Sequence, residues 1–162
     1  MSGKWSLLFH RCVLEQLERL KAASDKALAR SPDNAHENAN VKLYAALAKL
    51  ILQTIPSDPA RDEFRQGNTM GPQFRHWRRA RIGRRFRLFF RYDARTKVIV
   101  YAWVNDETTL RTAGSKNDPY TVFRKMLSRG NPPDDWDTLL HQSSQQKIDG
   151  PVKRRQGKSE EP

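Results

Sequence analysis

The chain has 162 residues, 37% of them apolar, with thirty Lys and Arg against eighteen Asp and Glu, for a net charge of +12. That length fits one domain with a tail and leaves little room for two. A pI near 10.3 and a mean hydropathy of −0.83 describe a wet, basic surface that concentrates polyanions, so nucleic acid or an acidic protein is the expected class of partner.

No membrane is expected. No stretch approaches the roughly 18 apolar residues of a spanning helix, the basic residues do not flank an apolar helical face, and Met1 to Trp5 lacks the apolar run of a signal peptide. The one cysteine, Cys12, excludes an internal disulfide and a cysteine-based zinc site, and a reducing cytoplasm is the expected compartment.

Trp5, Leu7 and Phe9 alternate with Ser6, Leu8 and His10 as in a short opening strand. From Val13 the apolar period becomes three and four (Val13, Leu14, Leu17, Leu20, Ala27, Leu28), which predicts an amphipathic helix ending near Ser31-Pro32. A polar linker follows, then a second helix from about Glu37 to Ile55, apolar on more than one face and expected to pack on a sheet. Pro56 to Gly71 reads as loop.

Three strands are predicted next. His76 to Ile82 leads into Gly83, a residue suited to a tight turn. Phe86 to Tyr92 follows, then a turn at Asp93 to Thr96. Val98 to Val104 is almost wholly apolar, as in a central strand covered on both faces. After a polar connection, Asp118-Pro119 caps a helix that stops at Gly130, before Pro132 and Pro133. Asp134 is placed to cap a last short helix with Trp136, Leu139 and Leu140. The pattern predicts an α+β domain over residues 1–143, an antiparallel sheet with two N-terminal helices on one face and a C-terminal helical segment, and a basic, disordered tail over 144–162.

The densest chemical signal is Phe74 to Tyr92, FRHWRRARIGRRFRLFFRY, with eight arginines between Arg75 and Arg91 and no acid among them. Guanidinium groups grip phosphate and aromatic faces stack bases, so the mixture suits single-stranded RNA. By strand alternation Phe86, Leu88, Phe90 and Tyr92 share a face that can meet the helices. Arg85, Arg87, Phe89 and Arg91 share the other, expected to be the open side of the sheet. A solvated edge hairpin and a dock for an acidic partner are the alternatives. His10, His36, His76 and His141 show no metal-ligand spacing, adjacent Asp106 and Glu107 point apart on a strand, and no phosphate-binding glycine loop or nucleophile elbow occurs. No metal or cofactor is expected, and Cys12 reads as a small core residue.

The strings HWRRARIGRRFRLFFRYD and VIVYAWVNDETTLRTAGSKNDPYTVFRKMLSRGNPPDDW resemble the YhaV family of RelE-superfamily toxins over residues 76–136. The resemblance implies a RelE-like microbial RNase fold and cleavage of mRNA in association with the ribosome. It also implies a cognate antitoxin with a swapped-hairpin, AbrB-like DNA-binding domain, and repression of the operon by the pair on operator DNA. It implies metal-independent attack of a ribose 2′-hydroxyl on the adjacent phosphate, with fixed guanidinium groups meeting the developing charge. Arg79, Arg81, Arg87 and Arg91 are then the expected catalytic residues. Trp77, Arg78, Arg84, Arg85, Phe89, Lys116, Tyr120, Arg124 and Lys125 are the expected RNA contacts, with His76 a candidate proton carrier. Arg79 is expected to be exposed and of little weight in folding. A non-catalytic RNA- or ribosome-binding inhibitor is the alternative function.

Overall fold

The computed structural model describes residues 4–106 and 116–148. Strand β1 (Ser6–His10) leads directly into helix α1 (Arg11–Arg30). His10 makes that junction: its Nδ1 accepts from the backbone N–H of Cys12 at 3.1 Å, capping α1, while its Nε2 meets Oε1 of Gln142 at 2.9 Å. α1 ends at Ser31, where Pro32 disfavours helical backbone in the residue before it.

A short 3₁₀ turn at Ala35–Glu37 takes the place expected for the start of the second helix. Helix α2 begins instead at Ala39, because the Asn38 side chain caps it, accepting from the N–H groups of Asn40 and Val41. It runs to Lys49, widens into a π turn at Leu50–Thr54 and closes as Ile55–Ser57. Pro56 has no N–H, and its ring crowds the carbonyl four residues back, so the wider turn suits it. The Tyr101 hydroxyl donates to the Ile51 carbonyl at 2.8 Å, taking up an acceptor in that turn. Burial raises the Tyr101 pKa well above its ordinary value.

Strands β2 (Arg78–Ile82), β3 (Phe86–Asp93) and β4 (Val98–Val104) form the predicted meander. β2 starts at Arg78, two residues later than expected. Gly83, at φ +60°, turns the first hairpin, and the Asp93 carboxylate braces the second by accepting from Thr96 Oγ1 at 2.6 Å. Helices α3 (Pro119–Ser128) and α4 (Trp136–His141) follow, then a two-residue strand β5 (Ser143–Ser144).

Sheet order is β2-β3-β4-β1-β5. The sheet is mixed rather than antiparallel, because β1 pairs with β4 in parallel, Ser6 opposite Val98 and Phe9 opposite Tyr101. A strand buried on both faces, as β4 is, must lie inside the sheet, and β1 fills its free edge. The folded unit also passes the expected boundary at 143: β5 pairs with β1, and Ile148 packs against the core. The expected tail from 149 onward lies outside the described residues.

Both faces are covered. On one side α1 and α2 bring Val13, Leu17, Leu47 and Ile51 onto Phe9, Leu88, Phe90 and Tyr101. On the other, α3 and α4 bring Tyr120, Phe123, Leu127 and Leu139 onto Trp77, Phe89, Val100 and Trp103. The face expected to be open is therefore the floor of a second core. A register shift between Phe89 and Phe90 puts an extra residue into β4, so Ala102 and Trp103 both point into this second core instead of alternating.

His10 makes the fold acid-sensitive. Its pKa is lowered, first by burial and further by Arg11, against an opposing contribution from the Gln142 bond. Proton uptake at Nδ1 would also remove the α1 cap, worth about 1 kcal/mol. A histidine whose folded pKa lies below its unfolded value takes up protons more readily when unfolded. Its contribution is thus full above about pH 6.5 and is lost as pH falls through that value toward the lowered folded one. His10→Asn keeps a capping oxygen without the titration. Its Tm should fall less than that of the wild type between about pH 7.5 and 5.5; parallel declines would show that His10 does not set the acid response.

Candidate active site

Arg79 on β2 and Arg87 on β3 lie on neighbouring strands of one sheet face, Arg79 opposite Phe89 and Arg87 opposite Arg81. Both are buried, at 7% and 6% exposure, against the expectation of an exposed Arg79. The reason is α3, which lays Tyr120 across them. Asp118 caps that helix by accepting from Tyr120 N, and Tyr120, Phe123 and Leu127 recur on its inner face. The Tyr120 ring meets Phe89 edge-on at 5.7 Å, and Phe89 in turn stacks on Phe123 at 4.4 Å.

The Tyr120 hydroxyl oxygen accepts from Nε of Arg79 at 2.7 Å and from Nε of Arg87 at 3.2 Å. Nη1 of Arg79 donates to the Glu63 carbonyl at 2.6 Å, and Nη1 of Arg87 donates to the carbonyls of Arg84 and Phe86. Every one of these acceptors is an uncharged oxygen, and the bonds leave Nη2 of each guanidinium uncommitted. Buried cations are ordinarily matched by an anion. Here two of them converge on neutral partners, an arrangement that holds positive charge in place for an incoming anion.

Asn105 was not singled out in the sequence, yet it holds Arg87 by accepting from its backbone N–H at 2.6 Å and donating to the Arg85 carbonyl at 2.9 Å. Glu63, whose backbone fixes Arg79, lies in the stretch read as loop. An amide after a strand and a backbone carbonyl in a loop leave no sequence signal of such roles.

The other expected site residues divide into three groups. Trp77 and Phe89 are fully buried in the second core, so neither offers a face to a base. Arg91 lies in a separate cluster, its guanidinium 5.5 Å from the Trp77 ring and 5.0 Å from the Trp136 ring, with Nη1 donating to the Asp134 carbonyl at 2.5 Å. Burial lowers its pKa, with Asp134 and Asp135 opposing. Arg81, Arg84, Arg85, Lys116, Arg124 and Lys125 are exposed, and Arg78 is half-buried over the Tyr92 ring.

Asp134 does not cap α4; its neighbour Asp135 does, accepting from Thr138 N at 3.0 Å. The Asp134 carboxylate is occupied instead by Trp77 Nε1 at 2.7 Å and His76 Nε2 at 2.6 Å. His76 therefore belongs with the Trp77–Arg91 cluster, and none of its contacts reaches Tyr120. Burial raises the Cys12 pKa, which disfavours the thiolate a nucleophile needs. Among the described residues no group of three or more His, Cys, Asp or Glu side chains comes together, and no helix is long and apolar enough to cross a membrane. Glu107 lies outside the described residues.

The mixed sheet between two helical layers is consistent with a RelE-like α+β toxin fold. Residues 7–144 match the family described as a toxin with endonuclease activity, of a toxin-antitoxin system, and the chain belongs to that YhaV toxin family. It is 42% identical over 143 residues to the ribonuclease toxin YhaV of Escherichia coli K12, covering 87% of this chain and 93% of that one. The toxin YhaV of E. coli O157:H7 is equally similar, and that of strain CFT073 is 41% identical with the same coverage. No solved structure matches the chain significantly. Membership of a toxin–antitoxin system entails a cognate antitoxin.

Asp134→Ala should separate folding from chemistry. It strands the buried Trp77 N–H, at a cost of about 1–3 kcal/mol, or roughly 2–4 °C of Tm per kcal/mol in a chain of this size. Cleavage measured well below Tm should stay near wild type. A collapse of activity in fully folded protein would put Asp134 and His76 in the reaction.

Proposed function

We propose that the chain cuts single-stranded mRNA at the Arg79–Tyr120–Arg87 centre. The carrying observation is the pair of buried guanidinium groups that share the Tyr120 hydroxyl, with no carboxylate in salt-bridge range among the described residues. In the reaction the ribose 2′-hydroxyl gives up its proton as its oxygen attacks the neighbouring phosphorus, the P–O5′ bond breaks, and the 5′-oxygen gains a proton as it leaves, with no net proton change. The products are a 2′,3′-cyclic phosphate and a 5′-hydroxyl. Charge grows on the phosphoryl oxygens, where Nη2 of Arg79 and of Arg87 would donate from fixed positions and need little reorganisation. Tyr120 positions both guanidiniums; Arg81, Arg84 and Arg85 hold the strand electrostatically along the hairpin, with Lys116, Arg124 and Lys125 beyond it. Cleavage takes place in the cytoplasm with the ribosome as platform. The antitoxin, with a swapped-hairpin DNA-binding domain, covers the basic edge and represses the shared operon on operator DNA.

The test must respect burial. Arg79→Ala would leave the Tyr120 hydroxyl and the Glu63 carbonyl short of a donor, so Arg79→Lys, which keeps the charge and loses the fork, is the better variant. Single-turnover cleavage should fall roughly 10²–10³-fold in protein shown by denaturation to be folded, while Lys26→Ala on α1 serves as control. Retained toxicity together with lost cleavage would favour a non-catalytic inhibitor of translation.

Guanidinium groups, rather than a metal, meet the charge in this route. Cleavage of naked RNA should therefore survive excess EDTA in a ribosome-free assay, and loss reversed only by added divalent ion would overturn it.

A further inference from the structure

Arg78 precedes Arg79 in β2, so its side chain leaves the opposite face of the strand. Its guanidinium lies 5.6 Å from the centre of the Tyr92 ring, and its buried Nε has no hydrogen-bond partner among the described residues. Arg78 lines an open pocket of about 410 Å³ with Arg65, Arg75 and Gly67. Three arginines thus line a single concavity. Arg65 faces Arg78 through an isolated antiparallel bridge at the free edge of β2. Arg75 is oriented by a bond from its Nε to Asn68 Oδ1 at 2.6 Å. Among the described residues the one carboxylate in salt-bridge range is Asp62, 3.6 Å from Arg65 Nε and 95% exposed, so water and salt screen it heavily. Three arginines against one screened carboxylate make a lining suited to an anion.

We propose that this pocket is a second anion site, holding a backbone phosphate that flanks the one cut at Arg79 and Arg87. The inference rests on the RNA-cleaving reading above. A phosphate offers tetrahedral oxygens that can serve several guanidiniums at once, whereas a carboxylate lies in one plane and pairs best with a single fork. Position favours the same substrate. The Glu63 carbonyl anchors Arg79, and Arg65, two residues on, bridges to Arg78. One short segment along the β2 edge therefore borders both sites, and an extended RNA strand passing that edge meets each in turn.

The experiment compares wild type with the double variant Arg65→Gln/Arg75→Gln, both positions exposed. The probe is a short single-stranded oligoribonucleotide carrying 2′-O-methyl groups, which cannot supply the attacking hydroxyl. Log affinity is measured against log salt. Loss of one engaged phosphate should make the slope less negative by about 0.7. On unmodified RNA, KM should rise while single-turnover cleavage at saturation stays unchanged. An identical slope and KM in the two proteins overturns the site. So does a variant that binds RNA as before but loses antitoxin affinity, since that would make the pocket a dock for protein carboxylates. A wild type that binds the probe with the expected slope difference but never cuts RNA overturns the catalytic reading and leaves the pocket standing. A wild type that binds no RNA removes both.

Discussion

Two like charges held side by side beneath a helix are the constraint on which the rest of this structure turns. Arg79 and Arg87 are like charges on neighbouring strands, and both are withdrawn from water. The fold compensates with dipoles rather than with a counter-ion. The Tyr120 oxygen takes a bond from both Nε groups, and the carbonyls of Glu63, Arg84 and Phe86 take those from Nη1. Because the acceptors are neutral, charge is positioned without being cancelled, which is the condition for stabilising a phosphoryl group as its negative charge grows.

Holding Tyr120 in place requires the second core. Its ring rests against Phe89, Phe89 stacks on Phe123, and Phe123 lies nearly parallel to Trp103 at 5.7 Å. The bulge in β4 lets Trp103 join that stack, since strict alternation after Ala102 would have sent it to the opposite face. Around the corner, Asp134 and Arg91 tie the loop before α4 onto Trp77. The aromatic residues that look in isolation like stacking platforms are thus the foundation beneath the charged pair.

What could be read from the sequence was whatever depends on local periodicity. The three strands, the glycine turn at Gly83, the α3 cap at Asp118 and the division of β3 into an arginine-bearing face and an apolar face all follow from spacing over a few residues. Which face would be open did not, because α3 covers it from some thirty residues further on, and no local pattern records that contact. The exposure of Arg79, Trp77 and Phe89 was misread for that one reason. The cap of α4 was missed by a single position, since Asp134 and Asp135 are equivalent as capping residues and only the buried Trp77 N–H distinguishes them. The family strings point to β2 and β3 for the proposed chemistry, whereas Asn105 and the Glu63 carbonyl hold the two arginines through geometry that residue type does not reveal.

The eight arginines between Arg75 and Arg91 are therefore not one interchangeable basic patch. Arg91 lies between two indole rings and secures a loop. Arg79 and Arg87 are immobilised beneath Tyr120. Arg81, Arg84 and Arg85 stand in solvent, where their side chains remain free to reorient and their field is screened by salt. A guanidinium that must meet charge appearing only in a transition state gains from being fixed beforehand, whereas one that attracts a flexible strand does not need to be. Burial on a single hairpin thus sorts one residue type into structural, positioned and steering roles, and the sorting is set by α3 and the loop before α4 rather than by the hairpin itself.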